Sequence, residues 1–324
     1  QDAIKEELEA RLATVLRHGQ YIMGPEVEEL ENVLSEYVGV RNCITVSSGT
    51  DALLISLLAL GVRPGDEVIT TPFTFISTAE VIVLLGAKPV FVDVEKNTGL
   101  MDASLVEECI SEKTKAIMPV SLYGQIPDIK AINRVAKRHG EIPVIEDAAQ
   151  SFGATANGFR SCGISTIGCT SFFPSKPFGC YGDGGALFTN SDKIAEKARA
   201  IRVHGQSDRY VHKTIGLCGR LDTIQAAILL AKWPRFSWEL GQRQKVADRY
   251  HLQFDSQELG VACPLKIRPN NRSVFAQYTI TVENREKLRS ILADFGIPTA
   301  IHYPKIVTEQ PGYCQYNQEF PTPC

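Results

Sequence analysis

Three segments of the sequence carry residues whose types and positions could do chemistry. Residues 47–51 (SSGTD) follow an apolar run and begin a helical pattern, so free backbone amides there could bind an anion. Asp147 ends the apolar run IPVIE, where a buried carboxylate needs a cation that no neighbouring residue supplies. Lys176 lies between two prolines and before a glycine-rich stretch, where burial would lower its pKa and free the amine as a nucleophile.

Each of these segments also has a simpler explanation. Residues 47–51 could only cap a helix, Asp147 could form a structural ion pair, and Lys176 could be an exposed loop lysine. Their order along the chain favours chemistry, because pyridoxal phosphate requires donors for its phosphate, a carboxylate for its ring nitrogen and a lysine for its aldehyde. Phe73 and Phe75 in TPFTFIST could cover the ring, and we expect one of them to be a core residue instead.

The elements that must position these residues are short apolar strands that alternate with helices. The strands are expected at 43–47, 67–71, 89–94, 115–121, 142–146, 168–173 and 184–189, and the helices between them at 50–60, 75–85, 103–110 and 128–139. Two further helices precede them, one ending at Gly19 and one running from Pro25 to Gly39. Apolar strands that alternate with helices predict an α/β fold with a mostly parallel sheet of about seven strands, and ligands bind at the carboxyl ends of such strands.

The pattern changes after Leu221. Long helices with a break at Pro234 are followed by a predicted strand at 274–282, a helix at 284–295 and a strand at 299–303. We therefore expect a large cofactor-binding domain over residues 1–225 and a smaller α/β domain over residues 226–324.

Composition and missing motifs exclude several classes of protein. The 324 residues include 34 basic and 37 acidic side chains that are interspersed, which argues against a nucleic-acid partner. Nine cysteines without a CxxC pair indicate a reduced, cytoplasmic chain, and no apolar stretch is long enough to span a membrane. Neither GxGxxG nor GxxxxGK[ST] occurs, so a Rossmann dehydrogenase is disfavoured and a P-loop enzyme is excluded; no metal site is predicted.

Several strings carry a resemblance to a known family: VSSGTDALLISLLALGVRPGDEVITTPFTF, VIEDAAQSFGA, TSFFPSKPFGCYGDGGALFTN and GRLDTIQAAIL. Over essentially its whole length the chain resembles the DegT/DnrJ/EryC1/StrS sugar aminotransferases, and most of all the bacterial O-antigen enzymes that aminate a UDP-linked 2-acetamido-3-keto hexuronic acid. The resemblance implies a fold-type I aminotransferase with pyridoxal phosphate as cofactor and L-glutamate as amino donor. It also implies a homodimer with active sites shared between subunits.

The resemblance assigns roles to residues of this chain. Lys176 would bond the cofactor aldehyde, Asp147 would pair with the ring nitrogen, and Gln150 would lie near the ring hydroxyl. The residues implied to hold the phosphate are Gly49, Thr50 and Ser171, with Phe75 stacked on the ring. The residues implied to face the nucleotide sugar are Gly24, Arg220, His302 and Tyr303.

Two features depart from the family pattern. Cys218 stands where the family has an asparagine that reaches the neighbouring subunit's cofactor phosphate, so we expect weaker cofactor retention. The chain stops at FPTPC, so we expect the end of the small domain to be missing. Aminotransferases of dTDP- or GDP-linked keto sugars and a catalytically impaired cofactor-binding homologue stay open as alternatives. Family dehydratases are disfavoured, because they carry histidine in place of the lysine.

Overall fold

The computed structural model describes residues 2–256 and 262–316. Its eight α-helices in this part of the chain are α1 (Lys5–His18), α2 (Pro25–Val38), α3 (Gly49–Leu60), α4 (Ser77–Leu84), α5 (Ile129–Arg138), α6 (Asp192–Ile201), α7 (Thr223–Ser256) and α8 (Arg285–Asp294). Short 3₁₀ turns lie at Asp2–Ile4, Glu107–Cys109, Leu122–Gly124, Val307–Glu309 and Cys314–Tyr316. Over the described ranges, none of the helices has both the length and the apolar character that crossing a bilayer requires.

The central sheet is built from β1 (Asn42–Val46), β2 (Glu67–Thr70), β3 (Lys88–Phe91), β4 (Thr114–Ile117), β5 (Ile145–Asp147), β8 (Ile167–Ser171) and β9 (Gly185–Thr189). The remaining strands are short: β6 (Thr155–Ala156), β7 (Phe159–Arg160), β10 (Gln206–Asp208), β11 (Val211–His212), β12 (Ala262–Pro264), β13 (Asn271–Arg272) and β14 (Ile280–Val282). All seven strands of the central sheet match predicted ones to within a few residues.

The central sheet consists of a four-stranded part and a three-stranded part joined by parallel bridges. The four-stranded part has the order β1-β9-β8-β5, and the three-stranded part has the order β3-β2-β4. Bridges between Ile117 and Val144 and between Val120 and Asp147 place β4 beside β5. The combined order is β1-β9-β8-β5-β4-β2-β3, in which β9 runs antiparallel to both of its neighbours and the other pairs are parallel. The predicted mostly parallel α/β sheet is confirmed.

Both faces of the sheet are covered, which explains why its strands are apolar throughout. Leu187 of β9 packs into the cluster formed with α3 and α6. Its neighbours Ala186 and Phe188 pack on the opposite face, in the cluster formed with α2 and α7. Since successive strand residues point to opposite faces, a strand covered on both sides has no polar position to alternate with.

The helix α7 corrects one prediction, because it continues through Pro234 without the expected break. A proline inside a helix costs about 3 kcal/mol. The residues on either side offset this cost by burial: Trp233 and Phe236 stack with ring centroids 5.7 Å apart, and both contact Phe178. The predicted domain boundary after residue 225 falls in the first turn of this helix and stays a prediction.

Three further predictions of elements are wrong. The segment 103–110 forms only the 3₁₀ turn Glu107–Cys109, and the segment 274–282 is extended only at β14. Residues 299–303, which are among those described, form no strand. Their polar contacts go instead to the strand-end loops of the central sheet, where Tyr123 Oη donates to the His302 carbonyl. The expectation about a missing end at residues 320–324 lies outside the described residues.

Candidate active site

The carboxyl ends of β5, β8 and β1 meet at one edge of the sheet. Asp147 is the last residue of β5, and Ser171 is the last residue of β8. Gly185, at the start of the antiparallel β9, pairs with Ser171 on one side and with Val46 of β1 on the other. The sheet topology thus brings the three predicted segments to a common edge, as the strand order requires.

Asp147 is a buried carboxylate with two hydrogen-bond donors. Asp147 is only 5% exposed. The Oδ2 atom accepts from Thr78 Oγ1 at 2.8 Å, and Oδ1 accepts from the Ala149 amide at 3.2 Å. Burial raises the pKa of Asp147, while the two hydrogen bonds and the charge of Lys176 oppose this rise. A further cation beside the carboxylate would relieve the cost of burying its charge.

Lys176 lies in a tight loop that follows β8. Its amide donates to the Phe173 carbonyl at 2.8 Å, and a Cβ at Gly179 would lie 2.6 Å from the same oxygen, so the loop needs a glycine there. Burial lowers the pKa of Lys176, and Asp147 acts against this effect. Among the described residues Lys176 forms no salt bridge, so its ammonium group can lose a proton to water and the neutral amine can then act as a nucleophile.

Gly49 and Ser171 form the floor of a small anion cradle at the N-terminus of α3. Ser48 caps this helix by accepting from the Asp51 amide at 3.0 Å. The amides of Gly49 and Thr50 lie in the first turn, where no helical acceptor exists for them. A Cβ at Gly49 would lie 2.7 Å from Ser171 Cβ, so only glycine lets the helix end approach the serine this closely.

Gln150 joins the central sheet to the C-terminal part of the chain. Its Oε1 accepts from the Tyr123 amide at 2.7 Å, and its Nε2 donates to Tyr303 Oη at 3.0 Å. Burial, followed by the charge of Asp147, raises the pKa of Tyr303 to about 12. The Tyr303 phenol is therefore neutral near pH 7, and it lies close enough to the Asp147 carboxylate to interact with its charge.

The two phenylalanines of TPFTFIST have different surroundings. Phe73 packs with Leu100 and Tyr123, and its ring lies 6.2 Å from the Tyr123 ring. Phe75 is 51% exposed and contacts the Tyr303 ring at 5.8 Å. Phe73 is thus the packing residue of the pair, and Phe75 is the one whose ring remains accessible beside the site.

Cys218 and Arg220 lie next to the turn that follows β1. The Ser47 amide donates to the Gly219 carbonyl at 3.0 Å, which fixes the segment there. Arg220 donates through Nη2 to Cys218 Sγ at 2.9 Å, and Cys218 is exposed. Arg220 Nε is buried and has no hydrogen-bond partner among the described residues.

Gly24, at the start of α2, has a packing reason to be glycine. Its amide donates to Thr223 Oγ1 at 3.0 Å. A Cβ at this position would lie 2.5 Å from the Gln20 carbonyl and 2.8 Å from Thr223 Cγ2. Of the predicted site residues, Gly24 is the one whose contacts are explained by the junction of α2 and α7 alone.

The donor set fits pyridoxal phosphate. The Gly49–Ser171 floor is a cradle that a Cβ would fill, with the positive end of α3 facing it. Asp147 is a buried anion that calls for a cationic partner, and Lys176 is a half-buried amine with a lowered pKa. An anion at one end, a protonated ring nitrogen at the other and an aldehyde near the amine match this arrangement.

Thr78, the side chain that donates to Asp147, is not among the predicted site residues. The hydroxyl oxygens of Thr74 and Thr78 lie 2.9 Å apart. Thr74 lies in the bend before α4 and Thr78 in the first turn of that helix, so the two threonines on either side of Phe75 meet at the start of α4. A spacing this common carries no specific meaning until the partner carboxylate is known.

Comparisons with known proteins agree along nearly the whole chain. A model of the DegT/DnrJ/EryC1/StrS aminotransferase family matches residues 2–324. The UDP-2-acetamido-2-deoxy-3-oxo-D-glucuronate aminotransferase of Pseudomonas aeruginosa is 54% identical over 321 residues, which cover 99% of this chain and 88% of the relative.

Two solved structures share the fold. DesV of S. venezuelae superposes with a TM-score of 0.94 at 36% identity, covering 97% of this chain and 84% of that chain. NtdA of Bacillus subtilis, solved with its bound cofactor PMP, superposes with a TM-score of 0.91 at 32% identity, covering 99% of this chain and 74% of that chain.

Proposed function

The chain belongs to the DegT/DnrJ/EryC1/StrS aminotransferase family, and from this premise we propose that it transfers an amino group from L-glutamate to a UDP-linked 2-acetamido-3-keto hexuronic acid. It is an aminotransferase, and its cofactor is pyridoxal phosphate. The substrate follows from the 54% identity to the Pseudomonas aeruginosa enzyme. The structural observation that supports the reaction is the buried Asp147 carboxylate, on which Lys176 acts as a cation across the site.

Residues of the described site would hold the cofactor at five points. Lys176 would bond its aldehyde, Asp147 would accept a hydrogen bond from the ring nitrogen, and Gln150 would lie beside the ring hydroxyl. The phosphate would take donors from Gly49, Thr50 and Ser171, and Phe75 would stack on the ring. When bound, the cofactor supplies a ring that absorbs the electrons released when a proton leaves the substrate carbon.

The protein's own contribution to the reaction is proton transfer and orientation. Because burial lowers the pKa of Lys176, its Nζ can lose a proton more readily than an exposed lysine, and can then take up a proton beside the donor's α-carbon and return it. Asp147 keeps a negative charge where a protonated ring nitrogen needs it. Phe75 and Tyr303 lie beside this edge of the sheet with their ring centroids 5.8 Å apart.

The nucleotide sugar would bind beside the cofactor, at the outer side of the site. Gly24, Arg220, His302 and Tyr303 are the proposed contacts. Arg220 is suited to a phosphate or a hexuronate carboxylate, because a guanidinium pairs with both and its Nε lacks a partner in the described structure.

We propose that the enzyme works as a cytoplasmic homodimer with shared active sites in the synthesis of a bacterial surface polysaccharide such as O-antigen. Exposed apolar side chains on the β10–β11 hairpin support an interface, since Tyr210 is 79% exposed and Ile215, just beyond it, 87%. All eight cysteines in the described ranges are free of disulfide bonds, which suits a reducing compartment.

Spectroscopy and product analysis of a lysine pair test the proposal. Lys176→Ala should remove both the visible absorbance of the bound cofactor and the turnover. Lys197→Ala is the control, because Lys197 is an exposed lysine of α6 whose Nζ donates to the Ala59 carbonyl near the C-terminal end of α3. Full absorbance or full turnover in Lys176→Ala would refute the assignment.

A panel of keto sugars tests the substrate. Wild-type enzyme with glutamate and UDP-, dTDP- or GDP-linked keto sugars should give an aminated product, found by mass spectrometry, mainly from the UDP-linked hexuronate. Preference for a dTDP- or GDP-linked sugar would overturn the substrate while leaving the reaction in place. A yellow protein that produces no amine from any of them would instead be a cofactor-binding homologue without turnover.

A further inference from the structure

Two buried threonines lie behind the Asp147 carboxylate. Thr78 Oγ1 donates to Asp147 Oδ2 at 2.8 Å, and Thr74 Oγ1 lies 2.9 Å from Thr78 Oγ1. Thr74 is 4% exposed and Thr78 is 0% exposed. The three side chains therefore form a short, water-excluded chain of hydrogen bonds that ends on the carboxylate.

Counting hydrogens fixes the direction of this chain when Asp147 is ionised. A hydroxyl has one hydrogen to donate, and a carboxylate can only accept. The hydrogen of Thr78 is committed to Asp147, so Thr74 must be the donor to Thr78 Oγ1. Both hydroxyl dipoles then point toward the negative charge, and aligned hydrogen bonds of this kind strengthen one another. The opposite direction requires a protonated Asp147.

The other groups around Asp147 leave each of its carboxylate oxygens able to accept one more hydrogen bond. Its Oδ1 atom already accepts from the Ala149 amide. Lys176 is the cation that faces it, while Glu146, Tyr303 and Cys169 are the titratable groups on which its charge acts. Each carboxylate oxygen thus has one donor from the protein, and each keeps a lone pair for a further donor.

We propose that Thr74 and Thr78 are positioning residues that keep Asp147 ionised and aimed at the ring nitrogen of bound pyridoxal phosphate. The inference rests on the proposed function, since it takes Asp147 as the partner of that nitrogen. The same short segment carries Phe75, the proposed stacking residue. One segment would therefore set both the tilt of the ring and the charge at its nitrogen.

Thr78→Val is the direct test, because valine keeps the shape of the side chain and removes the donor. Without that donor the pKa of the Asp147 carboxyl rises, so the ring nitrogen of the cofactor is protonated to a smaller extent. The pKa of the nitrogen that joins the cofactor to Lys176 rises as a consequence. We expect the pH midpoint of the holoenzyme's visible absorbance to rise by about 0.5 units or more. The dissociation constant of the cofactor, measured by equilibrium dialysis, should rise about tenfold.

Two companion variants separate positioning from packing. Thr78→Ser keeps the hydroxyl and should restore both the midpoint and the dissociation constant. Thr74→Val removes only the second donor and should shift the midpoint in the same direction by a smaller amount. If Thr78→Val does not fold, Thr74→Val decides the question, and an unchanged midpoint in that variant overturns the proposal.

The matched control is Thr70→Val. Thr70 is also fully buried, and its hydroxyl donates to the Met118 carbonyl at 2.8 Å, but it does not touch Asp147. This variant should lower the melting temperature and leave the midpoint at the wild-type value. An unchanged midpoint in Thr78→Val would refute positioning by the threonines. The same rise of the midpoint in Thr78→Ser as in Thr78→Val would also refute it. A colourless wild-type protein would instead refute the proposed function on which the inference rests.

Discussion

At the scale of single residues, Asp147 sets a conflict between stability and cofactor binding. Burial raises its pKa above the value in the unfolded chain, so the folded apo-protein binds this proton more tightly than the unfolded chain does. The stability that this provides is fully present below the unfolded pKa and is lost as pH rises through the folded pKa. At neutral pH the ionised carboxylate therefore destabilises the apo-protein until a cationic ring nitrogen binds beside it.

Asp147→Asn should accordingly stabilise the apo-protein and weaken cofactor binding. Removing the buried charge should raise the apo melting temperature by about 2 °C at neutral pH, the size expected of a single substitution. The gain should shrink as pH falls toward the pKa of Asp147, because the wild-type side chain then becomes neutral too. Thermal denaturation over a pH series measures it, and a melting temperature lower than wild type at every pH would contradict the argument.

Cys218 offers a second prediction at this scale. Its Sγ accepts from Arg220, and a thiol is a weak partner compared with an amide. We expect Cys218→Asn to give Arg220 a stronger acceptor and to supply an additional donor, so that cofactor affinity increases by about two- to tenfold. A fluorescence titration of apo-protein with pyridoxal phosphate measures the change. Equal affinities for the two proteins would show that position 218 does not reach the cofactor.

At the scale of elements, a buried ion pair closes the free edge of the central sheet. β1 is an outer strand, and Glu31 of α2 accepts from the Thr45 amide and hydroxyl at 2.9 Å. Arg202, at the end of α6, donates to Glu31 at 2.5 Å and to the Thr45 carbonyl at 2.8 Å. The ion pair thus provides hydrogen-bond partners for the amide and the carbonyl of Thr45, which has no neighbouring strand on its outer side in the described structure.

Removing one member of this pair should be costly, and removing both should cost less. Glu31→Ala leaves Arg202, which is 4% exposed, with a buried uncompensated charge, so the free energy of unfolding should fall by about 3–5 kcal/mol. Replacing Glu31 and Arg202 together by methionine should recover only part of this loss, because the Thr45 amide and carbonyl then lack their partners. Denaturant unfolding measures both, with Glu286→Ala in an exposed ion pair as the control that changes little. A double variant as unstable as Glu31→Ala would contradict this account.

Elements could be predicted from the sequence where one physical effect dominates. The strands of the central sheet are apolar because both of their faces are covered, so their pattern identifies them directly. Pro234 was misleading because packing of Trp233 and Phe236 against Phe178 helps to offset the cost of a proline inside a helix. Thr78 was missed for a different reason: its importance comes from Asp147, a residue distant in the sequence, and spacing within a segment cannot reveal that contact.

At the scale of the whole molecule, the C-terminal part of the chain completes the site from outside the central sheet. The Val307 amide donates to the Pro72 carbonyl at 2.8 Å, in the loop that follows β2. Its side chain is 1% exposed and packs with Ala79 and Phe91. This anchor lies four residues beyond Tyr303, which reaches Gln150, so one short segment connects core packing to the cofactor site.

Val307→Ala should therefore loosen the site without touching it. The cavity should lower the free energy of unfolding by about 1–3 kcal/mol. Because Tyr303 would lose its support, amide hydrogen exchange over residues 299–310 should speed up more than exchange in the central sheet, and cofactor affinity should fall. Val246→Ala is the matched control, since Val246 is 52% exposed on α7 and its truncation should change neither quantity. If Val307→Ala lowers stability while exchange over 299–310 stays at the wild-type rate, the segment is held by Tyr123 and Gln150 rather than by Val307, and the coupling proposed between core and site does not exist.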